Sequence, residues 1–185
     1  IGAPAFFCKF ACLLPDTMKG HTLRAYSKGA AESLKAIGAA PVTMGVADVY
    51  SALQRGAVDG ALGGLQGAYG LKHFEVTDHV LGSGGILGAL VNGFVMNKAS
   101  FDRQPENVKK AILEATKVAL DANNKALKKS YVDYLADLKK KGLTVTELEP
   151  GTPEWKAWSA ALKGHREALT KRFPAIVVSL VDSKS

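Results

Sequence analysis

The chain has 185 residues, 47% of them hydrophobic, which fits one or two folded domains with a genuine core and excludes a disordered chain. Its formal net charge of +7 would suit an acidic partner, but the densest basic cluster, Lys139, Lys140 and Lys141, falls at a predicted helix end where lysines complement the dipole, and no aromatic-interleaved basic motif accompanies it. Nucleic acid is therefore not an expected partner, and no run reaches the roughly 18 apolar residues of a membrane span, residues 81–96 being too short and glycine-studded. A start at Ile1 rather than Met, with no signal-peptide pattern, implies a mature or truncated beginning.

In chain order, residues 1–18 hold an apolar, aromatic-rich run that Pro15-Asp16 closes as a turn, and this reads as a strand entering a sheet. Cys8 and Cys12 would lie roughly 13 Å apart along such a strand, too far for a mutual disulfide. With no histidine at ligand spacing, no metal or other cofactor is expected, and both cysteines read as buried small hydrophobes. The Lys19-Gly20 step leads into an alternating segment over 21–26, a strand with Arg24 near its end. A helical pattern over 29–37 follows, with Ser27 as a cap, Leu34 and Ile37 inward and Glu32 and Lys35 outward. After a Gly-Ala-Ala-Pro break a short strand is predicted at 41–44, and the intervening helix is long enough for a parallel crossover.

A second helix over 47–55 carries Ala47, Tyr50, Ser51 and Gln54 on one stripe, with Asp48 at its start. Asp59-Gly60 then reads as a turn. The glycines of ALGGLQG suit either a loop approached closely by another group or a plain tight turn. Residues 70–79 read as a short helix or turn, and 86–91 and 94–96 as strands around Asn92-Gly93, a hairpin turn or a crossing between domains. From Pro105 a proline-free helical pattern runs to Lys141 and stops at Gly142, with Val108, Ile112, Ala115, Ala119, Ala122 and Ala126 as its stripe. At about 1.5 Å per residue it would span roughly 55 Å, so it bridges two bodies or breaks near Asn123-Asn124. A strand at 143–148 and a last helix, capped by Thr152, Pro153 and Glu154 with Trp155, Trp158 and Leu162 as its apolar face, complete the reading.

Enzyme motifs are absent: there is no GxSxG, P-loop, HExxH or GxGxxG after a strand. The four histidines, His21, His73, His79 and His165, share no i, i+4 spacing and read as surface or core residues, and Ser27 has no base. Arg24 is different. A guanidinium in an alternating apolar strand needs a partner, and the residues leave open whether that partner is a protein carboxylate or a ligand anion. In open α/β sheets ligands gather at the carboxyl ends of strands, where Arg24 stands.

The segments KGHTLRAYS, IGAAPVTM, DVYSALQRGAVDG and FVMNKASFDRQPENVKKAILEA resemble the carboxyl-terminal part of the solute-binding proteins of tripartite ATP-independent periplasmic (TRAP) transporters, of the dicarboxylate-binding type. Members carry a lysine-glycine step into a strand ending in arginine, then Gly-Ala-x-Pro, then a helix of the form acidic-Val-Tyr-x-Ala-Leu-Gln-x-Gly, then Val-Asp-Gly. The resemblance implies an α/β fold of the type II periplasmic-binding-protein kind, with a long helix bridging two domains and the amino-terminal portion missing. Residues 1–90 and 130–185 would form the second domain. Residues 91–130 would be an excursion that belongs to the first domain and starts the bridging helix; on its own it would expose apolar surface and favour self-association.

The implied function is periplasmic capture of a small organic carboxylate and its delivery to membrane permease subunits, without catalysis. A ligand-sensing domain of a regulator and a small α/β enzyme are the alternatives. The resemblance places Arg24 where the family's arginine salt-bridges the substrate carboxylate, and puts Val46, Gly63 and Gln66 with it as ligand-binding residues. Tyr50, Leu53, Gln54, Val58 and Asp59 match as scaffold. Two features depart from the pattern. Ala61-Leu62-Gly63-Gly64 stands where many members have Gln-Glu-Asn-Pro, removing an amide anchor and implying a roomier, more apolar pocket. Val46 replaces the aromatic residue of sialic-acid-type members, which implies an aliphatic or aromatic carboxylate rather than a sugar acid.

Overall fold

The protein is described by a computed structural model covering residues 4–88 and 93–172. Among these residues six strands, β1 (Pro4–Cys8), β2 (Thr22–Ala25), β3 (Ala40–Thr43), β4 (Gly60–Gly64), β5 (His79–Gly82) and β6 (Thr144–Glu147), form one sheet in the order β3-β2-β4-β1-β5-β6. The helices are α1 (Lys28–Ala36), α2 (Val49–Gln54), α3 (Leu65–Gly70), α4 (Lys98–Asp102), α5 (Glu106–Lys140) and α6 (Pro153–Thr170). β2 runs parallel to β3 and β4, and β5 parallel to β6, while β1 is antiparallel to both of its neighbours. The expected strand-helix-strand unit is therefore β2-α1-β3, with α1 as the crossover.

The strand period of two sorts side chains between the faces of the sheet. On one face Phe6, Cys8, Leu23, Ala25 and Leu62 pack with Leu34 of α1, with Ile37 just beyond its end, and with Trp158 and Leu162 of α6. Phe6 lies 5.6 Å from Trp158 between ring centroids, and the indole N–H donates to the Leu13 carbonyl at 2.9 Å. On the other face Ala5, Phe7 and Val80 meet Leu65 and Ala68 of α3 and Leu135 and Leu138 of α5. A third cluster joins Val49, Ala52 and Leu53 of α2 to Val58 and Ala61.

Local signals act where they were expected. The Ser27 hydroxyl accepts from the Ala30 N–H at 3.2 Å, and Thr152 caps α6 by accepting from the Trp155 N–H at 3.2 Å. α5 is one unbroken helix of 35 residues, with Lys139 and Lys140 in its last turn and Gly142 beyond it at φ +91°.

Several expectations are corrected. Asp59-Gly60 is no turn but the entry to β4; a Cβ at Gly60 would lie 2.8 Å from Cys8 Sγ and 3.1 Å from the Phe7 carbonyl oxygen, so glycine is needed for close strand packing. The ALGGLQG glycines form neither a loop nor a tight turn: β4 passes directly into α3 there. In α2 the buried face is Val49, Ala52 and Leu53 while Ala47 and Gln54 are exposed, because the α-helix begins only after a 3₁₀ turn at Val46–Asp48. On α5 Ala115, Ala119, Ala122 and Ala126 are exposed, and the half-buried positions step through Ile112, Thr116, Leu120 and Leu127.

The strand near 80 is β5, paired between β1 and β6. Ile86 lies in a turn that follows Gly84 and Gly85 at positive φ, and Phe94, Val95 and Met96 form no strand. Residues 89–92, including Asn92 of the expected turn, lie outside the described residues. The strand spacing assumed for the cysteines fails as well. β1 ends at Cys8 and the chain turns, so that both thiols are free, buried and adjacent, and Cys8 is pushed well above its ordinary pKa by burial first and then by Cys12.

Candidate functional site

Because Leu23 and Ala25 face the core beneath α1 and α6, alternation sends Arg24 to the opposite face, beside α2 and α3. The strand that carries it is pinned at its start by Asp59, whose carboxylate accepts from the Thr22 N–H at 2.8 Å while its own N–H donates to the Thr22 carbonyl at 2.8 Å. Arg24 pairs in register with Val42 of β3 and Ala61 of β4, near the carboxyl ends of β2 and β3 and opposite the second residue of β4.

Arg24 as a residue is 6% exposed. Its Nε and Nη2 donate to the Met44 carbonyl at 3.2 and 3.1 Å, and Nη1 donates to the Leu62 carbonyl at 3.1 Å. A further N–H on each terminal nitrogen stands outside these bonds. Among the described residues no carboxylate forms an ion pair with it. Burial lowers its pKa from the ordinary value, although it stays charged. Backbone carbonyls thus hold the arginine without neutralising it, and among the described residues the protein carboxylate, one of the two partners that the sequence left open, is not the one in place.

Arg24 lines a cleft of about 90 Å³. The other walls are formed by Val46, Ala61, Ala68 and His73, by Gly63, Gly64 and Gly67, and by Leu62, whose carbonyl meets the guanidinium while its side chain packs on the opposite face of the sheet. Gly63 has a specific reason to be glycine: a Cβ there would sit 3.2 Å from Arg24 Nη1. The cleft therefore brings together Arg24, Val46 and Gly63 but not Gln66, whose amide donates to the Ser130 hydroxyl of α5 at 2.6 Å. Leu53 and Val58 are buried beneath this region, and the Tyr50 hydroxyl donates to Glu75 at 3.0 Å. A larger hollow of about 350 Å³ lies along α6, lined by Lys156, Lys163, Arg166 and Glu167 among others; it is the outer face of one helix, at no strand end.

His73 is the residue that sequence reasoning passed over. It is 2% exposed, in a 3₁₀ turn after α3, with Phe7 edge-on at 6.1 Å. Among the described residues neither ring nitrogen has a hydrogen-bond partner. Burial first, and the Arg24 charge second, lower its pKa to about 4, so the ring is neutral at neutral pH. A lone histidine among Leu71, Phe74 and Val76 carries no spacing signal, and only the three-dimensional arrangement sets it against Arg24.

Residues 13–171 match the family of bacterial extracellular solute-binding proteins, family 7 (DctP). The chain belongs to this family. Family 7 is a solute-binding rather than an enzyme family, and its members act outside the cytoplasm. The C4-dicarboxylate-binding periplasmic protein DctP of Rhodobacter capsulatus is 30% identical over 171 residues, covering 91% of this chain and 50% of that protein. A TRAP periplasmic solute-binding protein of Rhodoferax ferrireducens, solved with bound malonate, is similar at 27% identity and a TM-score of 0.71, covering 88% of this chain and 52% of that one. One from Shewanella oneidensis, solved with bound succinate, shares the fold at a TM-score of 0.84 and 23% identity, over 96% of this chain and 58% of that one. The chain thus spans about half the length of the family 7 relatives it matches, and the mixed sheet with its long helix is the type II binding-protein fold of TRAP solute-binding proteins over that half.

Proposed function

We propose that this chain contributes the anion-holding wall of a TRAP transporter's solute receptor, which binds the carboxylate of a small organic acid at Arg24 and hands it to membrane permease subunits. The observation that carries the reading is the buried guanidinium that no carboxylate of the described residues neutralises, at the carboxyl ends of parallel strands and in the wall of a cleft. A charge desolvated without a counter-ion gains strongly when an anion arrives, and the planar fork suits a carboxylate. The relatives' printed ligands, malonate and succinate, are of this class.

Val46 and Gly63 line the ligand, and Gln66 reaches it after its bond to Ser130 is exchanged. The division of the chain belongs to the same proposal: residues 1–90 and 130–185 form one body of a clamp, and 91–130 lead into its other body. Two features of α5 support it, since Leu135 and Leu138 are buried on the sheet whereas Leu113 and Val118 are 62% and 69% exposed. The test is calorimetric titration of the intact protein and its Arg24→Ala variant with malonate, succinate and a panel of small organic acids. Loss of a desolvated charge partner weakens binding by about 2–5 kcal/mol; unchanged affinity in the variant would remove Arg24 from the role.

A further inference from the structure

We propose that His73 is a specificity residue, a neutral imidazole that reads an uncharged hydroxyl or carbonyl group close to the carboxylate held by Arg24. This rests on the reading of Arg24 given above. The two residues line the same small cleft, and both are nearly removed from solvent, at 2% and 6% exposure. The remaining walls named above offer no side-chain hydrogen-bonding group: Val46, Ala61, Leu62 and Ala68 are apolar, and the rest are glycines. His73 is therefore the cleft's polar side chain besides the arginine, and both of its ring nitrogens are without partners among the described residues.

Buried polar groups are as a rule satisfied, and one left unpaired points to something that pairs with it. Phe7 holds the ring edge-on and packs it from one side without offering a hydrogen bond. Protonation is opposed by the dry surroundings and by the neighbouring guanidinium, so the ring does not serve as a second cation. A neutral imidazole presents one N–H donor and one nitrogen acceptor. A hydroxyl can donate to the latter or accept from the former, and a carbonyl accepts from the former. The alkyl part of a plain carboxylate does neither, and its carboxylate oxygens can only accept. The glycine-lined wall lets a ligand approach the backbone, where no side chain competes for such a substituent.

The experiment uses matched pairs, lactate with propionate and malate with succinate, titrated calorimetrically into the intact protein, His73→Phe and His73→Gln. Wild type favours the hydroxylated member of at least one pair. In His73→Phe that preference falls by about ten- to hundredfold, the range expected when a buried hydrogen bond is lost, while the affinity for the plain acid changes less than about twofold. His73→Gln, which keeps a donor and an acceptor, retains part of the preference. A ligand-induced shift of the ring nitrogen resonances of His73 in wild type gives a readout independent of how the variants fold. Equal affinities within every pair in wild type, or the same ratio in His73→Phe, overturn the role of His73 and leave Arg24 untouched. Failure of any carboxylate in the panel to bind wild type overturns the carboxylate reading and this inference with it.

Discussion

Acidification should weaken the ligand-free fold through His73 in a window fixed by its burial. Its pKa in the folded protein is held down to about 4 against 6.5 for a free imidazole, by burial and by the charge of Arg24. Between these values the unfolded chain binds a proton at this residue and the folded one does not, so stability falls as pH falls. The contribution is fully present above about 6.5, declines steadily to about 4 and is level below. At about 1.4 kcal/mol per pH unit, the loss across the window is about 3 kcal/mol. Urea unfolding at roughly pH 7.5, 6, 5 and 4, extrapolated to water, measures it in wild type and in His73→Phe. Asp137 contributes acid sensitivity of its own, because the Tyr69 hydroxyl first and Lys141 next hold its carboxyl below the usual value; that stability is lost as pH falls through the lowered value and is common to both proteins. The difference between them therefore isolates His73. Equal pH slopes in the two proteins, or a His73 ring resonance titrating near 6.5, would refute the reasoning.

Gly60→Ala should cost about 1–3 kcal/mol by chemical denaturation, because the new methyl would meet Cys8 Sγ at 2.8 Å and the Phe7 carbonyl oxygen at 3.1 Å between two strands that cannot separate. Leu138→Ala, at a fully buried position of α5 against the sheet, should lose about 2–5 kcal/mol in the same assay, whereas the exposed Val132→Ala should stay within about 0.5 kcal/mol. Val95, Leu113 and Val118, at 98%, 62% and 69% exposure, should make the 185-residue chain bind apolar dyes and self-associate in sedimentation, and replacing all of them with lysine should reduce both without lowering the unfolding midpoint.

The unit β2-α1-β3 was legible because its evidence is local: alternation around Arg24, a serine cap at Ser27 and a break at Gly38 before β3. The length of α5 was legible for the same reason, from an uninterrupted pattern and its stop at Gly142. β5 was not. His79–Gly82 lies inside a longer apolar run, and what selects those residues as a strand is their pairing with Cys8 on one side and Thr144 on the other, contacts spanning tens of residues. α3 was missed because Gly67 and Gly70 are poor helix formers, and packing of Leu65 and Ala68 against Phe7 and Leu138 overrides them. At the site, the position of Arg24 could be read from the chain, but its carbonyl partners Met44 and Leu62 could not, since they become neighbours only when β2, β3 and β4 align.

Arg24 and His73 meet the same dry surroundings with opposite outcomes. Burial disfavours the cationic form of each, yet arginine keeps its proton in any protein environment while histidine gives its proton up. The pair therefore presents one fixed positive charge and one neutral donor-acceptor, not two competing cations. A protein carboxylate beside Arg24 would have stabilised the empty fold, but an incoming anion would then have had to displace it. Carbonyl oxygens from Met44 and Leu62 orient the guanidinium and leave its net charge without a carboxylate partner among the described residues. An anion that countered that charge would relieve the Coulombic pressure on His73 and raise the pKa of its ring.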